Sequence, residues 1–392
     1  MKFKKVVSAA LVAVLAVACM SGCGDNKDGQ ASAGGSGGDV VKIGGIGPVT
    51  GSAAVYGMAV KNGAELAVKE INEAGGINGK QIEFDFQDDE NDAEKAVNAY
   101  NTLKDWGTHA ILGTVTSAPC VAVGEVAQAD NIFLLTPSGT AVDCVKYDNA
   151  FRVCFSDPMQ GLESAKYIGD NNLAAKVAVI YDSSDVYSSG IYEAFVKEAK
   201  NQNFEIVAAE AFTKESNSDF SVQLQKAKDA GAELVFLPFY YSEASLVLKQ
   251  AAGMNYAPKF FGCDGMDGIL AVKGFDANLA NDLMFLSPFT PTSEDEAIQK
   301  FVTDFQESYG DTPNQFAADA YDGIYAIKAA MEKANVTPDM STSEICDALK
   351  TAMTEITIDG VTAKSLTWQS SGEPSKEPMV VKIADGDYAV VE

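Results

Sequence analysis

VKIGGIG at residues 41–47, followed by PVTGS at 48–52, is the stretch on which the fold turns. A short apolar run ending in turn formers reads as a buried strand. Ser52 is placed to cap a helix, and Val60, Ala64, Ala67, Val68 and Ile71 then recur along one helical face until Gly75-Gly76 stops it. Ile82-Glu83-Phe84-Asp85-Phe86 alternates as a strand, and Asp92 opens a helix with Ala96, Val97, Tyr100 and Leu103 on its apolar face. A strand over 110–113, a helix over 120–129 and a strand over 132–135 continue the series. Such alternation implies parallel strands joined by right-handed crossovers, with helices on both faces.

The series restarts at KVAVIY, 176–181. A helix over 189–201, a strand over 204–209, a helix over 220–230 and a strand over 234–237 follow, then a helix over 243–252 and a strand over 259–262. Two successive units of this kind predict an α/β protein of two Rossmann-like lobes, each with a parallel sheet, around a hinged cleft. Crossings near 156, 288 and 357 assign 40–156 and 289–356 to lobe 1, and 157–288 and 357–392 to lobe 2. In open α/β sheets a ligand sits beyond the carboxyl ends of the strands, so facing lobes would hold it between them.

Composition fits two domains. The folded body of about 350 residues exceeds what one core usually serves. A formal charge of −26 argues against nucleic acid or anionic lipid as partners. The single histidine, His109, stands beside a strand, no C-x-x-C pair occurs and no G-x-S-x-G elbow accompanies any strand, so neither a zinc site nor a serine triad is indicated. GGINGK at 75–80 is not a phosphate loop, because Ala74 occupies the first glycine position and Gln81 stands where a serine or threonine must hold magnesium. Cys120, Cys144, Cys154, Cys263 and Cys346 are odd in number; Cys120–Cys144 or Cys144–Cys154 are the nearest candidates for a disulfide, and at least one thiol stays free.

The N-terminus addresses the compartment. Met1–Lys5 is cationic, and the apolar run from Val6 to Cys19 is shorter than the about 20 residues a spanning helix needs, matching a secretory h-region. MSGC at 20–23 resembles the lipobox of bacterial lipoproteins, which implies a signal over 1–22 and a lipid on Cys23; Cys19 is the competing position. Loss of Lys2, Lys4 and Lys5 with the signal would bring the charge to −29. Residues 24–39, GDNKDGQASAGGSGGD, hold no large apolar side chain and read as a flexible linker behind the anchor at 23–39.

Further segments carry a family resemblance: IGPVTGSAAVYG (46–57), NGAELAVKEINEAGGINGK (62–80), DDENDAEKAV (88–97), LGTVTSAPC (112–120), LLTPSGTA (134–141), FGCDG (261–265) and FAADAYDGIYAI (316–327). In order and spacing they resemble the leucine/isoleucine/valine-binding proteins of ABC importers, a type I periplasmic-binding fold, over residues 41–385. The chemistry agrees. Thr114-Val115-Thr116-Ser117 leads from a strand end into a helix start, where amide groups and the helix dipole favour a carboxylate. The resemblance implies that Ser117 and Thr140 take a ligand carboxylate, with Thr116 beside them, and that the Ser138 carbonyl and Thr140 hydroxyl take an ammonium. It also implies that Asp264, where the family usually has glutamate, pairs with that ammonium. Tyr56, Tyr187 and Tyr240 would line or close the cleft, with Tyr241 the alternative to Tyr240 and Phe316 a further wall. Taken alone, these residue types also cap helices and form turns. Of the rival acids, Asp182 reads as a strand-end turn residue and Asp319 as helix surface.

The expectation is a non-enzymatic, monomeric, extracytoplasmic receptor, attached to the membrane by its lipid, that binds a small amino acid and serves ABC permease subunits without cofactor or metal. Leucine, isoleucine and valine are the first candidates. A sensory receptor of the same fold for another amino acid, an amide or an aromatic acid is the alternative. An exported enzyme would need a nucleophile–base pair or metal cluster, which the sequence does not offer.

Overall fold

The structure, a computed structural model, describes residues 40–391. The signal, Cys23 and the linker lie outside the described residues. The opening run forms β1 (Val40–Gly47), fully buried from Ile43 to Gly47, and α1 (Ala54–Glu73) follows. Ser52 is not its cap. The N-cap position falls on Ala53, which makes no side-chain bond. Gly75 and Gly76 take φ of +109° and +79°, which ends the helix as the sequence suggests.

β2 (Gln81–Asp88), α2 (Ala93–Trp106), β3 (Ala110–Gly113), α3 (Ser117–Asp130), β4 (Leu134–Thr136) and β5 (Ala150–Arg152) complete the first sheet, in the order β2-β1-β3-β4-β5, all parallel. Asp92 caps α2, accepting from the N–H groups of Glu94 and Lys95. β5 is three residues long, too short to announce itself by period.

The chain then builds α4 (Asp157–Asp170), β6 (Lys176–Asp182), α5 (Val186–Ala199), β7 (Glu205–Phe212), α6 (Ser221–Asp229), β8 (Leu234–Leu237), α7 (Tyr241–Gly253), β9 (Lys259–Gly262) and β10 (Met284–Ser287). α8 (Glu296–Tyr309), α9 (Gln315–Lys333) and α10 (Thr342–Met353) return to the first sheet, with α8 and α9 packing on α1 and α10 beside β3. Gly63 allows this, since a Cβ there would lie 2.1 Å from the Ala317 carbonyl oxygen. β11 (Met379–Ala384) and β12 (Asp387–Val390) close the second sheet, in the order β12-β11-β10-β9-β8-β6-β7. That sheet is parallel except for this antiparallel pair, which also pairs β11 antiparallel to β10.

Two expectations need correction. The crossing expected near 357 falls at 377–378 instead. Trp368 Nε1 donates to the Arg152 carbonyl at 2.7 Å, the Arg152 N–H donates to the Gly372 carbonyl at 3.0 Å, and Lys376 pairs with Asp319 at 2.7 Å. These contacts hold 358–376 against the first lobe, and no periodic pattern in that segment signals it. The same contacts correct Asp319. It is 2% exposed rather than at the helix surface, because the 358–376 segment covers that face of α9. All five cysteines in the described residues are buried free thiols, so neither candidate pair is bonded. His109 is buried at the start of β3, where its Nδ1 accepts the Lys42 N–H at 3.1 Å.

Candidate functional site

The carboxyl ends of both sheets converge on one small cavity. On the first lobe, Thr116 is the extended N-cap of α3 and Ser117 its first residue, so the amide end of the helix, short of intrahelical partners, meets the cavity. The Thr116 hydroxyl is already engaged, donating to Asn91 Oδ1 at 2.8 Å. Ser117 Oγ accepts the Ala141 N–H at 3.2 Å and stands 3.5 Å from Thr140 Oγ1. Ser138 Oγ donates to the Val115 carbonyl at 2.7 Å, pinning the loop after β4 to the loop after β3.

The second lobe contributes a charge and aromatic walls. Tyr187, in the first turn of α5, donates to Asp264 Oδ1 at 2.6 Å and accepts the Gly265 N–H at 3.0 Å. The Asp264 N–H donates to Gln160 Oε1 at 3.0 Å. Burial pushes the Asp264 carboxyl up to about 6, against the opposing hydrogen bond from Tyr187. Tyr187 and Tyr240 stack with centroids 4.8 Å apart, and Tyr56 lies 4.2 Å from Phe316.

The two lobes are closed on each other. From the first lobe, the Tyr56 hydroxyl donates to the Gly265 carbonyl at 2.5 Å and accepts the Tyr241 N–H at 3.2 Å. Gln315 Nε2 donates to the Asp264 carbonyl at 2.8 Å, and its backbone N–H to Asp267 Oδ2 at 2.8 Å.

Eight of the nine residues expected at the ligand, Tyr56, Thr116, Ser117, Ser138, Tyr187, Tyr240, Asp264 and Phe316, line this cavity, joined by Val115 and Gly265. Thr140 stands behind Ser117. Tyr240 rather than Tyr241 faces the cavity; the Tyr241 hydroxyl accepts the Val55 N–H at 3.3 Å instead. Asp182 is a strand-end turn residue, its carboxylate accepting the Ser184 N–H at 2.8 Å.

Arg152 was not foreseen. Its buried guanidinium donates to the carbonyls of Gly139 (3.0 Å), Thr140 (2.5 Å) and Ala141 (2.9 Å), which fixes the loop that carries Ser138 and Thr140. The signal was present, since this is the only arginine in the 392-residue chain. Among the described residues no group of three or more His, Cys, Asp or Glu is arranged to hold a metal ion.

With this geometry in hand, residues 40–387 match the profile described as Periplasmic binding protein. The chain belongs to that family. It is 31% identical over 303 residues to Leu/Ile/Val-binding protein homolog 3 of Brucella melitensis, covering 76% of this chain and 80% of the relative. A leucine-, isoleucine-, valine-, threonine- and alanine-binding protein of Pseudomonas aeruginosa is 28% identical over 80% of this chain and 82% of its own. The solved structure of LivJ, the branched-chain amino acid transporter substrate-binding protein of Streptococcus pneumoniae, in complex with isoleucine, superposes with a TM-score of 0.81 at 30% identity. It covers 90% of this chain and 99% of that one. A benzoate-bound solute-binding protein of R. palustris shares the fold at a TM-score of 0.79 with 19% identity, covering 90% and 95%. The type I periplasmic-binding architecture is thus that of the family, whose members act by binding solutes and not by catalysis, and membership implies an extracytoplasmic location.

Proposed function

We propose that this chain is the solute receptor of an ABC importer and captures a zwitterionic amino acid, with a branched-chain side chain, between its lobes. The observation that carries the reading is the opposition across one small cavity of a helix amide end with hydroxyls and a buried carboxylate. Ser117, Thr140 and the amides of α3 receive the ligand carboxylate. The Ser138 carbonyl, the Thr140 hydroxyl and Asp264 receive the ammonium. Tyr56, Tyr187, Tyr240 and Phe316 enclose the side chain, giving the apolar walls and few polar groups typical of such pockets. The names of the Brucella, Pseudomonas and Streptococcus relatives support the branched-chain choice.

Capture works through closure. A ligand that touches both lobes favours the closed state by its differential affinity, and the closed receptor is what the permease would engage. In this reading Cys23 carries the lipid and residues 24–39 leash the receptor to the membrane face. A thermal-shift and calorimetric screen of residues 40–392 against the amino acids tests the ligand class. Leucine, isoleucine or valine should raise the melting temperature most. A chain stabilised by no α-amino acid, but by an aromatic acid, would sink the reading.

A further inference from the structure

Asp157, the first residue of α4, is buried behind the loop that carries Thr140. The residue is 1% exposed, and neither carboxylate oxygen makes a hydrogen bond. Its backbone N–H donates to the Thr140 carbonyl at 2.9 Å, which ties it to the loop of ligand hydroxyls. The Thr140 hydroxyl stands close enough to favour the ionised form. On the far side lies Gly190 of α5, where a Cβ would come within 3.0 Å of Asp157 Oδ2. The carboxylate therefore occupies a gap between α4 and α5, within the second lobe, that a glycine keeps open.

A buried carboxylate with no partner is costly, and it is relieved by a proton or by a cation. The groups facing it decide which. Asp264 after β9 and Asp185 before α5 add negative charge; Arg152 on β5 favours ionisation. Tyr240, Cys144 and Cys263 complete the surroundings within electrostatic reach. Arg152 is already committed to the carbonyls of Gly139, Thr140 and Ala141. Within this set, the missing cation is one that enters beside Thr140.

We propose that Asp157 is a second carboxylate of the ligand site, sharing the ligand's ammonium with Asp264 so that amino-acid capture displaces protons from the pair. The proposal rests on the amino-acid reading and deepens it. Two acids hold one ammonium, Asp157 at the start of α4 behind Thr140 and Asp264 after β9. Burial raises both carboxyls, so the unliganded closed site carries protons that the ammonium replaces. Affinity for an amino acid then falls as pH drops below about 6, where Asp264 takes up its proton.

The test is calorimetry of L-leucine and of its deaminated analogue 4-methylpentanoate with the parent and with D157N, in two buffers of different ionisation enthalpy. Parent binding of L-leucine should release protons. D157N should weaken L-leucine by about 10- to 100-fold, the worth of a charge-assisted hydrogen bond, release fewer protons, and leave the analogue's affinity nearly unchanged. D157N without ligand should melt at or above the parent's temperature, because the carboxyl it replaces makes no hydrogen bond that the fold depends on. A D157N chain that binds L-leucine as tightly with the same proton release overturns the proposal alone. One that fails to fold, or melts lower, also overturns it, since the carboxylate then serves the structure. A parent that binds no α-amino acid overturns the amino-acid reading and this proposal together.

Discussion

At Asp264 burial and hydrogen bonding pull in opposite directions: burial raises the carboxyl to about 6, while the Tyr187 hydroxyl favours the ionised form. An ammonium in the cavity would tip the balance to the ion, and closure would exclude the water that competes for it. Removing one partner of such a buried pair costs roughly 3–5 kcal/mol. D264A should therefore weaken the cognate amino acid by about two to four orders of magnitude in calorimetry while barely affecting a ligand without an amine. Unchanged affinity would mean that the ammonium lies elsewhere. The residues named from the loops after β3, β4 and β9 were legible because each stands at a strand's carboxyl end in a matched segment. Asp157 was not, because nothing in its own sequence neighbourhood marks it, and Arg152 was marked only by being the single arginine, since the carbonyls it holds are met in space.

At the scale of elements, the segment 358–376 decides how α9 is covered. Lys376 donates to Asp319 at 2.7 Å and to Thr362 Oγ1 at 2.5 Å, and the Thr362 hydroxyl in turn donates to Asp322. Asp322 also accepts the N–H groups of Val361 and Thr362 at 2.8 and 2.9 Å. The network is almost dry, with the Lys376 and Asp319 side chains 0% and 2% exposed. K376M leaves the Asp319 carboxylate uncompensated and should cost roughly 3–5 kcal/mol in denaturant unfolding. The double variant K376M/D319N should recover much of the loss. A K376M chain as stable as the parent would show that water reaches this network. α9 also carries Phe316 to the cavity between the lobes, so the network braces that wall from behind.

Across the whole molecule, an excess of acid sets the pH response. Burial raises Asp89 to about 7 and Asp185, Asp264 and Asp267 to about 6, each from an ordinary value of 3.8. A carboxyl whose folded pKa lies above its unfolded value binds protons better in the native state. Its contribution to stability is complete below about pH 4 and is lost as pH rises through 6 to 7. The formal charge of −26 acts in the same direction through self-repulsion. Ligand-free protein should accordingly melt higher at pH 5 than at pH 7.5 in scanning calorimetry, and saturating amino acid should narrow that gap by neutralising the cavity acids. A ligand-free melting temperature that rises steadily from pH 5 to 7.5 would contradict these shifts.

The sequence by itself determined the alternation of strands and helices, the restart that makes a second lobe, and the loops that meet at the cavity. Those features are written in local period and turn chemistry, as at 41–52, 110–117 and 259–264. Only the tertiary structure decided which side chains lose their water. Asp319 reads as exposed until 358–376 folds over it, the β11–β12 pair joins the second sheet only after that detour, and the lone arginine acquires meaning from three carbonyls it meets in space. Burial depends on what packs against a residue from far along the chain. It is burial that turns Asp157, Asp264 and Asp319 from ordinary surface acids into groups whose charge must be answered.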